Sequence, residues 1–455
     1  MRGATVGLWR DRFVRFAAGS SGTVVSALAG AIRNKWLALH LEAAGIGILA
    51  QAFSAQVWIG TLVGLGLGLP VTRAVGAALG RNDAEAARRA PWTAFTIVAA
   101  VALPVSALVI LLADPISAFL FGTTAHAVLV RISALGLTGI GVFNVAQGLV
   151  AGRSDLRASI AFALIGAGVA TLLTLLLVPR FGLPGAGLAA AVLYPAGVAG
   201  MLWVHLRRHP EALRPRPARF FDRPEASALA RFAGVTLALP AIDLGTLLIL
   251  RTHVLRSNGA TANGLLQAAL AVSQQVGALF YAYLLSYALG KVTTAGAAGG
   301  AAAVRDYTRR QWTPIVAAAA IVFAGALLGA WPLLHLLYSD RFAGARTMMG
   351  YTLVGEFGRV CFQAAALGAL AIGGGRLWFR VGLVQPLALA AAYAGFVATG
   401  SGPLSLPRAY AVSGAVTFAA GAWMMARAGA GLRARDLAWC AAGFLALLAL
   451  RPLAG

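Results

Sequence analysis

"GYTLVGEFGRVCFQAAALGAL", residues 350–370, decides how this chain is read. It is apolar and long enough to cross a bilayer, whose core takes about 20 helical residues. Yet Glu356, Arg359 and Gln363 lie well inside it. A charged side chain at mid-bilayer costs about 3 kcal/mol on insertion scales. An acid and a base kept there either serve each other or serve something polar that passes.

Long apolar runs of this kind recur outward in both directions. They lie roughly at 14–38, 46–70, 92–113, 126–151, 158–178, 184–206, 229–253, 261–289, 313–337, 346–371, 377–399 and 406–427, with a shorter thirteenth at 437–450. The chain is 60% hydrophobic and only 11% charged, where a soluble protein carries about 25% charged residues. The pattern predicts an all-α, polytopic membrane protein. The basic start "MRGATVGLWRDRFVRF" leads into a long apolar run with no small-residue cleavage site, so the first span is read as retained.

A formal charge of +23 invites a nucleic-acid reading. The positions of the charges exclude it, because they fall in the breaks between spans. With a cytoplasmic N-terminus and alternating sides, the inner breaks hold 26 Lys and Arg and the outer breaks 9. That asymmetry is the positive-inside rule. Cys361 and Cys440 both lie in apolar runs, which argues against a disulfide framework.

The longest polar break, "RRHPEALRPRPARFFDRPEAS" at 207–227, follows six spans and reads as a cytoplasmic linker. Around it the halves repeat. Arg15-Phe16-Ala17 returns as Arg231-Phe232-Ala233, Arg33 as Arg251, and Gly47 opens a segment similar to the one from Gly264. Arg73 matches Lys291, Phe121-Gly122 matches Tyr338-Ser339, and Gln147 matches Gln363. All six offsets lie between 216 and 218. Six spans per repeat is even, so the two bundles are expected to be parallel. The expected domains are 1–206, a linker 207–228, 229–428, and an extra hydrophobic segment 429–455.

Among acidic residues only Asp243 and Glu356 fall inside spans. Glu356, Arg359 and Gln363 share one helix face. Two readings stay open: an ion pair that locks packing, or groups lining a water-filled cavity. Arg131 and Gln147 lie on the corresponding fourth span, and Arg131 is near enough to its end to snorkel. Arg33 and Lys35, with Arg251 and His253, mark the outer ends of spans one and seven. Asp243 follows Pro240, where a kink could free carbonyls. "GLPGAG" at 182–187 joins two spans and lacks the Lys-Ser/Thr of a phosphate loop. No Cys/His cluster has metal-ligand spacing, so no metal site is expected. The short outer loops, poor in carboxylates, argue against a membrane glycosyltransferase or polysaccharide polymerase.

The stretch "KWLALHLEAAGIGILAQAFSAQVWIGTLVGLGLGLPVTRAVG", 35–76, resembles the opening of bacterial polysaccharide-transport flippases of the O-antigen and enterobacterial-common-antigen type. Their pattern K-x-x-A-x-x-L-G-P-x-G-x-G-x-x-x-Q is met by Lys35, Ala38, Leu41, Gly45, Gly47 and Gln51, while Glu42-Ala43 replaces Gly-Pro. "VPRFGLPGAGLAAAV", 178–192, is similar to the family's fifth-to-sixth connection. The resemblance implies the multidrug/oligosaccharidyl-lipid/polysaccharide (MOP) superfamily: two six-helix bundles around a central cavity in the bacterial inner membrane, without a cofactor or an enzymatic activity. It implies an undecaprenyl-pyrophosphate-linked glycan as substrate, flipped to the outer leaflet, with membrane lipid, a glycan polymerase and a chain-length regulator as partners and H+ or Na+ as coupling ion. Arg33, Lys35, Arg131, Gln147, Arg251, Arg359 and Gln363 become substrate-binding candidates, and Asp243 and Glu356 ion-coupling candidates. The alternatives are a multidrug exporter of the same superfamily and a lipid II flippase. The first is less favoured because span one carries no acid, the second because it usually has two additional helices.

Overall fold

The computed structural model describes residues 2–213 and 220–454. Residues 214–219, the centre of the expected linker, lie outside the described residues. The described elements are helical, and no strand occurs among them. In chain order they are α1 (Arg2–Val63), α2 (Gly68–Gly80), α3 (Ala86–Leu111), α4 (Ala113–Phe121), α5 (Ala127–Gly152) and α6 (Leu156–Arg208). After the linker come α7 (Arg223–Tyr283), α8 (Leu289–Leu328), α9 (Ala330–Leu337), α10 (Ala345–Ala366), α11 (Ala369–Ala398), α12 (Ser405–Arg427) and α13 (Ala434–Leu450). Among the described residues, eight helices are long and apolar enough to cross a membrane. This is the multi-pass, all-α class that the apolar runs predict.

Several helices join two expected spans through one broken residue. α1 breaks at Glu42 (φ 57°, ψ −174°), α6 at Gly182 and α7 at Gly259. These are the gaps between the expected spans. Two spans divide differently. The one expected at 46–70 ends at Val63, and α2 starts after a turn with Leu65 and Gly66 left-handed. Gly66 is required there: a Cβ would stand 2.7 Å from the Ala233 carbonyl oxygen, and the Thr236 hydroxyl donates to the Gly66 carbonyl at 2.7 Å. The run at 313–337 is divided at Gly329 between α8 and α9.

The breaks repeat as the sequence does. Glu42 and Gly259 are 217 apart, Asn82 and Gly300, both left-handed, 218, and Gly182 and Gly400 likewise 218. The short helices α4 and α9 start 217 apart. The offset is thus written into backbone geometry as well as composition.

The chain forms two compact units: Met1–Leu41 with Ile48–Leu248, and Glu42–Gly47 with Ile249–Gly455. The first takes in α7 as far as Leu248, beyond the 229 start suggested by the linker. Its core joins α1, α2, α3 and α5 through Val63, Val71, Val75, Val98 and Leu149, with Leu229 and Ala233 of α7 packed among them. Trp58 of α1 donates its indole N–H to the Ala241 carbonyl of α7 at 2.9 Å.

In the second unit α10 is the central, almost wholly buried helix. Glycines set its approach to α12. A Cβ on Gly355 would stand 2.4 Å from the Tyr410 carbonyl oxygen, and one on Gly414 2.4 Å from that of Gly355. Such close backbone approach is how helices gain dispersion energy where lipid removes the hydrophobic drive. Phe357 on the next face packs edge-on against Phe323 of α8 and Phe444 of α13, with centroids 6.0 and 5.3 Å apart.

Candidate functional site

The opening stretch forms the middle of α10, and its acid is enclosed inside the second unit. Glu356 is 1% exposed. The distal limb of α7 presents Ser273, Gly277 and Tyr281 at four-residue spacing on one face. Ser273 and Thr352 share a hydrogen bond of 2.7 Å. One turn on, a Cβ on Gly277 would lie 2.4 Å from Glu356 Oε1, so only glycine leaves room for the carboxylate. One turn further, the Tyr281 hydroxyl donates to Oε1 at 2.7 Å.

The other side is closed by α12. The Tyr410 hydroxyl, itself buried, donates to Glu356 Oε2 at 2.5 Å and accepts from Arg359 Nη1. The Arg359 guanidinium carbon sits 5.3 Å from the Tyr410 ring centroid, and its Nη1 is 3.8 Å from Glu356 Oε2. Both carboxylate oxygens accept a hydrogen bond from a tyrosine hydroxyl. Acid and base meet through a phenol more closely than they meet each other. Arg359 keeps a 20% exposed side chain while Glu356 is closed in. Protonating Glu356 would remove one acceptor and slacken the hold on Arg359. The arrangement links a closed carboxylate to a partly open guanidinium through one phenol.

The other sequence-derived candidates are dispersed. Gln363 is partly buried on α10, two turns from Glu356 and outside its hydrogen-bonded group. Arg251 is 3% exposed in the second unit. Its Nε donates to Asn263 Oδ1 at 3.3 Å, and Asn263 donates to the Gly47 carbonyl at 2.8 Å. His253 bonds the Tyr393 hydroxyl at 2.7 Å. Arg33 and Lys35 are partly buried on α1, as is Gln147 on α5. Arg131 is exposed and paired with Asp114 at 3.3 Å. Asp243 is partly buried on α7, whose backbone stays helical through Pro240 and breaks at Gly259.

Tyr281, Gly277 and Tyr410 were not singled out from the sequence. A usable signal existed for the first two, because Ser273, Gly277 and Tyr281 stand four apart in one span. Tyr410 offered only a phenol in an apolar run. Asp155, His205 and His209 were passed over as well, although the two histidines are four apart.

Residues 10–255 match the family described as "Lipid II flippase MurJ". The chain is 27% identical over 416 residues to the lipid III flippases of Escherichia coli (strain K12) and Shigella flexneri, covering 88% of this chain and 94% of each relative. It is also similar to an inward-facing multidrug resistance MATE family transporter of the MOP superfamily, at a TM-score of 0.74 and 14% identity over 90% of this chain and 95% of that one. A MOP superfamily transporter from Pyrococcus furiosus Vc1 (DSM3638), described as having a binding pocket of reversed polarity, aligns at a TM-score of 0.62 and 16% identity over 91% and 94%. These structural likenesses give the fold.

Proposed function

Since the chain belongs to the lipid II flippase MurJ family, a family of transporters and not of enzymes, we propose that it moves an undecaprenyl-pyrophosphate-linked oligosaccharide from the inner to the outer leaflet of the bacterial inner membrane for polysaccharide or O-antigen assembly. The near full-length likeness to lipid III flippases supports an oligosaccharide carried on a lipid. The family match supports lipid II as the second substrate to test. Lipid II stands as that second substrate although the chain shows only one short apolar run beyond the twelve spans.

The observation that carries the proposal is the Tyr281–Glu356–Tyr410–Arg359 group. A pyrophosphate headgroup is anionic and needs a guanidinium in a shielded place. Arg359 would take the pyrophosphate oxygens as Glu356 is neutralised, and Tyr410 would hand it over. H+ or Na+ would be the coupling ion. Arg251, Arg33, Lys35, Gln147 and Gln363 would supply further headgroup contacts, and Asp243 a second coupling group. The exposed Asp114 partner of Arg131 supports interfacial anchoring for that residue. The N-terminus would be cytoplasmic, with the glycan polymerase and chain-length regulator as partners.

The test is translocation in proteoliposomes holding a fluorescent polyprenyl-pyrophosphate oligosaccharide, lipid II, or a cationic dye. Translocation of the oligosaccharide without dye export is the expected result. Export of the dye alone would replace the proposal with a multidrug exporter.

A further inference from the structure

Away from Glu356, both ends of α6 return to a single buried carboxylate. The two limbs of α6 pack against each other: a Cβ on Gly166 would lie 2.9 Å from the Leu193 carbonyl oxygen, and one on Gly197 2.6 Å from the Phe162 ring. Asp155 caps the first limb, its Oδ1 accepting from the Ala158 amide at 3.4 Å. At the end of the second limb, His205 Nδ1 lies 2.9 Å from Asp155 Oδ2 and Arg208 Nη1 2.5 Å from Oδ1. His209, one turn after His205, places Nε2 3.9 Å from the same Oδ2. The Asp155 and His205 side chains are fully buried, and His209 is 32% exposed.

One ligand atom from each of Asp155, His205 and His209 lies within 4.8 Å of the others. A tetrahedral Zn2+ with bonds of about 2.0–2.1 Å sets its ligand atoms about 3.3 Å apart. The distances of 2.9 and 3.9 Å bracket that value. Opening the first by a few tenths of an ångström and turning the half-exposed His209 ring inward completes three ligands. Arg208 occupies Oδ1 and leaves Oδ2 for the ion. Arg153 bonds Glu211 at 2.9 Å, and His209 Nδ1 lies 3.7 Å from that carboxylate, a ready partner for the ring's second nitrogen.

The cluster offers one carboxylate beside two imidazoles, which disfavours Ca2+ and Mg2+, since both need several oxygen ligands. Two imidazoles and one carboxylate suit a borderline transition metal. A hydrogen-bonded staple would need only His205 and Arg208. His209 lies outside that staple, with Nε2 3.9 Å from the same oxygen, near enough for a third ligand.

We propose that Asp155, His205 and His209 form a binding site for a divalent transition-metal ion of the Zn2+ type, fastening the two ends of the α6 hairpin where the linker begins. The site is independent of the transport reading.

The test uses the full-length protein in detergent, purified without a histidine tag and stripped with a chelator. Zn2+ is titrated at neutral pH against a chromophoric chelator, and Co2+ is followed by its visible absorption. The expected result is one Zn2+ per chain and a tetrahedral Co2+ spectrum. His209→Ala, half-exposed and therefore expected to fold, should weaken Zn2+ binding at least about tenfold. His40→Ala should leave it unchanged. Absence of stoichiometric uptake, or equal uptake by wild type and His209→Ala, would overturn the proposal.

Discussion

At the scale of single residues, two positions carry unusual loads. Tyr410 joins a buried acid to a partly open base with one hydroxyl. Tyr410→Phe keeps the ring and removes that link, leaving a buried carboxylate short of a donor. The expected cost is about 1–3 kcal/mol, read as a lower Tm in detergent. An unchanged Tm would mean that the hydroxyl does not hold Glu356. Glu42 is the second position. Its φ of 57° and ψ of −174° suit glycine, the residue that the resembled family pattern has at this place. Its side chain pairs with Arg341, but both are well exposed, at 63% and 65%. Exposed pairs contribute about 0–1 kcal/mol, less than the roughly 1–3 kcal/mol of such backbone strain. Glu42→Gly should therefore raise stability, by about 1 kcal/mol; a lower Tm would show that the ion pair outweighs the strain.

At the scale of elements, the α7–α10 contact depends on a missing side chain. In Gly277→Ala the new Cβ would stand 2.4 Å from Glu356 Oε1 and 3.0 Å from Cδ. Overpacking of this kind costs about 1–3 kcal/mol, and here it falls on the proposed coupling group. The expected outcome is folded protein with lost transport. Gly290→Ala, with open space around its Cβ, should transport normally. Equal activity in both variants would remove α7 from the account. The element scale also shows what could be read beforehand. The apolar runs located the helices, and the offset near 217 read from matching residues recurs in the backbone breaks. The site was half legible. Glu356 and Arg359 announced themselves because charge is costly in an apolar span. Their partners did not: a tyrosine in such a span carries no comparable penalty, and a glycine that makes room for another residue's carboxylate looks like any packing glycine. Likewise the Asp155 cluster draws on residues about 50 apart in sequence, closed by a hairpin whose register no local pattern announces.

At the scale of the whole molecule, orientation and transport are the claims to test. Arg223 and Arg341 are both exposed, and the charge asymmetry assigns them to opposite sides of the membrane. Arg341→Cys should react with an impermeant thiol reagent added to intact cells, and Arg223→Cys should not; the native Cys361 and Cys440 are buried. The reverse pattern would invert the orientation. The central claim is that Arg359 handles the anionic headgroup while Glu356 controls it. Arg359→Ala strands a buried carboxylate, a loss that even a purely structural pair would suffer. Glu356→Ala combined with Arg359→Ala removes that confusion, since neither charge stays behind. The decisive measurement is the translocation of a polyprenyl-pyrophosphate oligosaccharide in proteoliposomes by wild type, Arg359→Ala and the double variant. The account predicts that translocation is lost in both variants while both stay folded; recovery of the double variant to near wild-type rates would contradict it and leave the pair as a packing staple.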